Sequence, residues 1–279
     1  MQGGNRRETW GTKIGLILAL AGNAIGIGNF LRFPVQAAQN GGGAFMIPYF
    51  VALILMGVPL IWVECAIGRM GGRYGQGHTA GMFGLLWQHR YAKYLGILGL
   101  FIPFTIALYY IYITAWTVAY GYFSLRSDYF EVTSREAMGA YLRVFQGVES
   151  NQYFSGVGTA YIFLLITLAI GLYIVHHGVR GGIEALAKIG VPFLFLVGVV
   201  LMIRVLTFGT PDPSYPDRNV LSGLGFVWNP QPERLTDASI WLAAAGQIFF
   251  TLSIGAGCIP TYASYMREED DVALTGLST

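Results

Sequence analysis

The sequence predicts an all-α integral membrane protein, and three observations carry that prediction. Hydrophobic residues make up 54% of the 279-residue chain and charged residues only 11%. A soluble domain carries about 25% charged residues. Six apolar runs each approach or exceed the ~20 residues that cross ~30 Å of hydrocarbon as a helix. Lys and Arg gather in alternate connections between those runs.

The first run, Ile14–Ala37, is followed by the short segment Gln39–Gly43 and then the second run, Ala44–Ile67. The glycines of that segment stop the helix, so the first two spans form an antiparallel hairpin. The third run is Ala92–Tyr120, the fourth Gly158–Val175, the fifth Ile189–Leu206 and the sixth Ala238–Tyr265. Arg6, Arg7 and Lys13 lie at the N-terminus; Arg69, Arg73, Arg90 and Lys93 join the second run to the third; Arg180 and Lys188 join the fourth to the fifth. An excess of Lys and Arg marks cytoplasmic loops. The N-terminus is therefore expected in the cytoplasm and the chain in the plasma (inner) membrane. The longer loops Gly121–Val157 and Thr207–Asp237 mix acids with bases and fall outside. The acidic run Glu268–Asp271 falls inside without overturning the orientation, because acids contribute little to this rule.

Composition also excludes some classes. A formal net charge of +2 offers no basic surface for nucleic acid. Cys65 and Cys258 lie in apolar runs without a CxxC neighbour, so they read as small buried hydrophobes. The first run is too long and too rich in Gly and Asn for a cleaved signal peptide. The chain stops at Thr279, a few residues into a further apolar run from Val272, so a longer polypeptide is expected.

Two of the six spans are built badly for helices. The first contains Gly22-Asn23-Ala24-Ile25-Gly26-Ile27-Gly28-Asn29-Phe30, and Gly costs ~1 kcal/mol relative to Ala in a helix interior. Close packing through the GxxxG pair Gly22 and Gly26 is one explanation. It leaves Asn29 and Arg32 unexplained at membrane depth, where polar groups are expensive and suggest function. In the sixth span Thr251, Ser253, Gly255 and Gly257 interrupt the stretch Gly246–Pro260, and Pro260 suits the first turn of a new half-helix. Paired Gly-interrupted spans at corresponding positions of two halves point to a midplane binding site between inverted repeats. The first span would open one five-helix repeat and the sixth would open another. Unwound carbonyls suit a hard cation such as Na⁺, and freed N–H groups at a half-helix N-terminus suit a carboxylate.

The stretches Trp10–Pro34, Asn40–Tyr49, Ala107–Tyr112 and Gly246–Gly257 closely resemble the neurotransmitter:sodium symporter family, in particular its bacterial leucine-transporter type. The combination NFLRFP…NGGG is specific, and the resemblance runs over essentially the whole chain. It implies a fold of twelve spans whose first ten form two inverted five-helix repeats with discontinuous first and sixth helices. Residues 1–279 would then be one incomplete transmembrane transporter domain. Residues 1–206 would form the first repeat, 207–237 an extracellular loop and 238–279 the start of a truncated second repeat.

The resemblance also implies roles. Carbonyls of Gly22 and Ile25 match ligands of one Na⁺; the Ala24 carbonyl, Asn29 and Thr251 match ligands of another. Backbone N–H groups around Gly28 and the Tyr110 hydroxyl match the substrate-carboxylate site. Carbonyls of Ala24, Phe250 and Thr251, with Ser253, match those facing the substrate ammonium. Ile106, Tyr110, Phe250, Ser253 and Ala256 match the side-chain pocket. Arg32, Gln247 and Phe250 match the outer gate; Arg7, Trp10, Ser264 and Tyr265 match the inner gate and its anchor. Bacterial amino-acid members often carry a bulky side chain at the position of Ala256, so a larger pocket is expected here.

Single residues keep simpler readings beside these. Tyr110 has a packing reading, which its mid-span position and the resemblance outweigh. Glu64 is either a snorkelling end residue or a buried acceptor for broken-helix N–H groups, and the second is favoured. His176 and His177 sit at a helix end without further ligands, so they complement the helix dipole. GIGNF lacks the third glycine, strand and acid of a nucleotide loop. The expected function is Na⁺-coupled symport of a neutral, hydrophobic or aromatic amino acid, using two Na⁺, with chloride undecided. The lipid bilayer and the amino acid are the expected partners, with a homodimer left open. Two alternatives stand beside it: a non-transporting binding or regulatory membrane protein, and an intramembrane enzyme, for which no nucleophile–base pair presents itself.

Overall fold

The computed structural model describes residues 8–26, 28–149, 156–210 and 214–279, and every regular element among them is helical. In chain order these are α1 (Lys13–Ala24), α2 (Phe33–Gln39), α3 (Gly43–Ala52), α4 (Val58–Arg73), α5 (Thr79–Leu86), α6 (Ala92–Leu125) and α7 (Arg135–Phe145). They continue with α8 (Gly158–His176), α9 (Ala185–Leu206), α10 (Val220–Trp228), α11 (Ala238–Leu252), α12 (Cys258–Ala263) and α13 (Val272–Ser278). Three wide π turns, Gly28–Arg32, Leu53–Gly57 and Val179–Glu184, lead directly into α2, α4 and α9. Two of them precede prolines, Pro34 and Pro59, each near the start of the helix that follows. Pro59 has no N–H to give the Leu55 carbonyl, and the wide turn absorbs that gap, with the Val58 N–H bonding Leu53 instead.

Four continuous helical stretches, Gly43–Arg73, Ala92–Leu125, Gly158–His176 and Val179–Leu206, are long and apolar enough to cross a membrane. The pair Lys13–Ala24 and Gly28–Gln39, bent by 47°, makes a fifth by length and composition. The sixth expected span divides into α11, with 15 residues, and α12. At 1.5 Å per residue α11 alone falls short of ~30 Å.

Other boundaries differ from expectation. The second and third spans run on to Arg73 and Leu125, and the fifth begins at Val179 rather than Ile189. Charge marked Arg180–Lys188 as a loop, but Glu184 and Lys188 pair at 2.6 Å within the helix. Helices α5, α7 and α10 were expected as loops; their capping residues His78, Ser134 and Asn219 carried the signal.

The chain divides into two compact units. The first comprises residues 1–101 and 179–279. Its core gathers Trp10, Leu16 and Leu20 from the N-terminal segment and α1, Ile61 and Cys65 from α4, Ile248 and Leu252 from α11, and Ile259 and Ala263 from α12. Helices α4 and α12 meet backbone to backbone. A Cβ at Gly68 would strike the Pro260 carbonyl, and one at Gly72 would strike the Ser264 carbonyl. Small residues allow such approach between membrane helices.

The second unit, residues 102–178, holds the rest of α6 with α7 and α8. Its core is aromatic: Phe123, Tyr141 and Phe145 are buried with Tyr120, Tyr129 and Phe163 packed against them. The pair Phe123–Phe145 meets edge to face, centroids 5.6 Å apart at 81°.

Candidate functional site

The first break opens where α1 ends. Ile25 is extended, at φ −91° and ψ 98°, and the helix resumes at Gly28 in a wide turn. The carbonyls of Gly22 and Ala24 thus belong to the last turn of a helix, where backbone acceptors lack intrahelical donors. The second break follows α11. Ser253, Gly255 and Gly257 adopt φ of 54°, 79° and 84°. Three left-handed residues at alternate positions end the helix, a conformation that glycine adopts without the strain that Ser253 bears. Gly257 has a second reason to lack a side chain, since a Cβ there would collide with the Gly99 carbonyl. The break is narrower than expected, because Thr251 remains inside the last turn of α11. Pro260 does lie in the first turn of α12.

A continuous hydrogen-bond chain joins the two breaks. Arg32 Nη1 donates to Gln247 Oε1 at 2.5 Å, and Gln247 Nε2 donates to Thr251 Oγ1 at 3.1 Å. Thr251 Oγ1 donates to Asn29 Oδ1 at 3.1 Å, and Asn29 Nδ2 donates to the Ala24 carbonyl at 3.0 Å. Gln247 is fully buried. Ala24, Asn29 and Thr251 are the three residues expected at one Na⁺, and the fold brings them together. Their oxygens are neutral and hard, the donor type that suits a cation such as Na⁺. Among the described residues no group of three or more His, Cys, Asp or Glu could hold a metal ion.

Above this chain the Phe250 ring lies on Gly28, where a Cβ would strike it. The Arg32 guanidinium sits 4.8 Å from the centroid of the same ring, a cation–π contact. Arg32, Gln247 and Phe250, the outer-gate residues of the sequence reading, are therefore mutually engaged. Ala256 is buried and its N–H bonds the Ser253 carbonyl at 3.2 Å. Glu64, on α4, reaches the second break: its Oε1 accepts the Gly255 N–H at 2.6 Å. Glu64, half-buried, thus accepts a broken-helix N–H, and Gly255 at that bond is exposed rather than buried.

At the other end of α12, Trp10 is 1% exposed and its indole N–H donates to the Tyr262 carbonyl at 2.9 Å. Its backbone N–H donates to the Tyr265 carbonyl at 3.2 Å, and the Ser264 hydroxyl donates to the Thr261 carbonyl at 2.6 Å. Arg7 lies outside the described residues. Gly22 packs on Val191 of α9. Ile106 and Tyr110 stand on the α6 segment of the second unit, where the Thr114 hydroxyl donates to the Tyr110 carbonyl at 2.8 Å. His177 Nδ1 lies 2.8 Å from the Tyr173 carbonyl one turn back, a local helix-end contact. Two charged residues at the Trp10 end were missed: Glu184 and Arg267, both bonded to the backbone beside Trp10. Their signal was charge at the ends of apolar runs, which the sequence reading took as loop.

The described residues are helical in every regular element and include helices long and apolar enough to cross a membrane, which defines the class as an integral membrane protein. The Sodium:neurotransmitter symporter family model matches residues 7–131 and 128–279, and the chain belongs to that family. It is 33% identical over 98% of its length to an uncharacterized sodium-dependent transporter of Methanocaldococcus jannaschii, of which it covers 52%. It is 31% identical over 96% of its length to the inactive sodium-dependent neutral amino acid transporter B(0)AT3 of Homo sapiens, of which it covers 43%. A crystal structure of MhsT in complex with L-phenylalanine superposes with a TM-score of 0.79 at 30% identity, over 98% of this chain and 57% of that one. The chain thus spans about half the length of the curated relatives it matches. These relatives are named as transporters, which removes the enzyme alternative.

Proposed function

We propose that the protein serves sodium-coupled symport of a neutral amino acid by alternating access. The observation that carries this reading is the Thr251–Asn29 hydrogen bond, which ties the two broken helices through neutral oxygens. In this reading Ala24, Asn29 and Thr251 hold one Na⁺, and Gly22 and Ile25 contribute to a second. The N–H groups around Gly28 and the Tyr110 hydroxyl receive the substrate carboxylate. Carbonyls of Ala24, Phe250 and Thr251 face its ammonium, with Ser253. Ile106, Phe250, Ser253 and Ala256 line the side-chain pocket. Arg32, Gln247 and Phe250 close the outer side; Arg7, Trp10, Ser264 and Tyr265 close the inner side. Residues 1–206 form one five-helix repeat, 207–237 an outer loop and 238–279 the opening of its inverted counterpart. The N-terminus faces the cytoplasm across the plasma membrane.

An aromatic or large apolar substrate is favoured by the small Ala256, and the MhsT complex with L-phenylalanine supports it. The energetics suffice. One charge moving through 100 mV supplies ~2.3 kcal/mol, and a tenfold gradient adds ~1.4 kcal/mol. Two ions then supply ~7 kcal/mol, enough for roughly 10⁵-fold accumulation. The test is amino-acid uptake into proteoliposomes with and without a Na⁺ gradient, scanned over side chains. Sodium-dependent uptake of Phe, Trp or Leu is expected; uptake indifferent to Na⁺ refutes the symport reading.

A further inference from the structure

We propose that Glu184 and Arg267 form a latch on the backbone of Trp10 and Gly11, acting as positioning residues that set how readily the inner side opens. The peptides around Gly11 are held from both faces. The Gly11 N–H donates to Glu184 Oε2 at 2.6 Å, and the Thr12 hydroxyl donates to Glu184 Oε1 at 2.9 Å. From the opposite side Arg267 donates through Nε and Nη2 to the Trp10 carbonyl, at 3.1 and 2.9 Å, and through Nη2 to the Gly11 carbonyl. An acid of the π turn before α9 and a base just beyond α12 therefore grip one short stretch of backbone, the acid on its donors and the base on its acceptors.

The surroundings are shaped to this grip. Glu184 is 1% exposed, and Lys188 pairs with it one helical turn along at 2.6 Å. A Cβ at Gly15 would fall on the Glu184 carboxylate, and one at Gly11 would meet both that carboxylate and the Arg180 side chain. Glu8 adds a bond at the edge, accepting the Arg180 N–H at 2.9 Å. Arg267 is anchored at both ends: its backbone N–H donates to Asp270 Oδ2 at 2.9 Å, and its Nη1 lies 3.5 Å from Glu269 Oε1. Charge-assisted bonds to backbone are the strong ones. The two grips act as one unit, because once either lets go the strap shifts and the other loses its geometry. Releasing the Trp10 indole from Tyr262 thus requires the two to let go together. The link to opening rests on the transport reading; the latch itself is a property of this structure.

The decisive measurement is hydrogen–deuterium exchange on the purified full chain in lipid nanodiscs, resolved at residues 10–13 and across α11. E184Q and R267Q should each speed exchange of the Gly11 amide about tenfold or more. Exchange in α11 should stay unchanged, and E184Q/R267Q combined should add little to the faster single variant. R267K should restore protection only in part, since an ammonium cannot present the planar fork. Unchanged Gly11 exchange in both single variants, additive effects, or faster exchange throughout α11 would each overturn the latch. If E184Q does not fold, R267Q reads the same latch from its more exposed side. In sodium-driven uptake the variants should change kcat and leave the KM for Na⁺ unaltered; the reverse pattern overturns the positioning role. Absence of sodium-driven uptake by the unaltered chain would count against the symport reading alone, since the exchange result stands without it.

Discussion

Replacing Glu64 tests whether the second break is held in place for the proposed ion site. Glu64 Oε1 accepts the Gly255 N–H at 2.6 Å, and Oε2 is buried without a partner among the described residues. Glu64→Ala removes the hydrogen bond that the exposed Gly255 N–H makes to a carboxylate, and a bond to a charged group is worth about 1.5–3 kcal/mol. The loss is not offset by the helix, because Gly255 lies in a left-handed turn with no carbonyl waiting for it. If Thr251 must be fixed beside Asn29 before sodium binds, that cost appears as a roughly 10- to 100-fold weaker apparent Na⁺ affinity. Glu64→Gln keeps one acceptor oxygen and should lose less than tenfold. The assay is Na⁺-dependent substrate binding by scintillation proximity, with expression and melting temperature measured alongside. Equal losses for Glu64→Ala and Glu64→Gln would refute the reasoning, since the Gly255 bond separates them. An unaltered Na⁺ dependence in Glu64→Ala would refute it as well.

Three further outcomes follow from the same geometry. Thr251→Val keeps the shape but cuts the chain between Gln247 and Asn29, so the sodium requirement should rise at least tenfold; titration of uptake against Na⁺ reads it. Gly68→Ala drives a Cβ into the Pro260 carbonyl and Ala263, and backbone cannot yield as a side chain can. A loss of about 1–3 kcal/mol is expected, seen as a lower melting temperature in detergent, whereas Gly171→Ala, in open space, should be silent. If Ala256 lines the side-chain pocket as proposed, Ala256→Phe should turn preference toward smaller substrates; competition of labelled substrate by Ala and Trp measures the change.

Much of the fold was legible because lipid imposes length and apolarity on every span. The same rule made charge misleading. Glu184 and Lys188 looked like loop residues, yet the Glu184 carboxylate is buried with three donors around it, the Gly11 N–H, the Thr12 hydroxyl and the Lys188 ammonium. The short helices α5, α7 and α10 lack the length that lipid demands, so only their caps announced them. Glycine and Asn29 told where the first helix breaks, and Gly255 and Gly257 told where the second does. Composition could not tell that Thr251 stays helical, because its hydroxyl finds Asn29 across the gap rather than its own backbone. The grip of Arg267 on Trp10 spans 257 positions and has no local signature at all.

The π turn Leu53–Gly57 carries one residue more than an α-helical turn would. Each residue advances a helix by about 100° of rotation. The surplus therefore works as a phase shifter between α3, which lies along α11, and α4, which lies along α12. One unbroken span can face both halves of a broken one only if its own azimuth is reset midway. Deleting a single residue between Leu53 and Gly57 would turn α4 out of phase. Glu64 would then point away from Gly255, and Gly68 and Gly72 would no longer meet the α12 backbone.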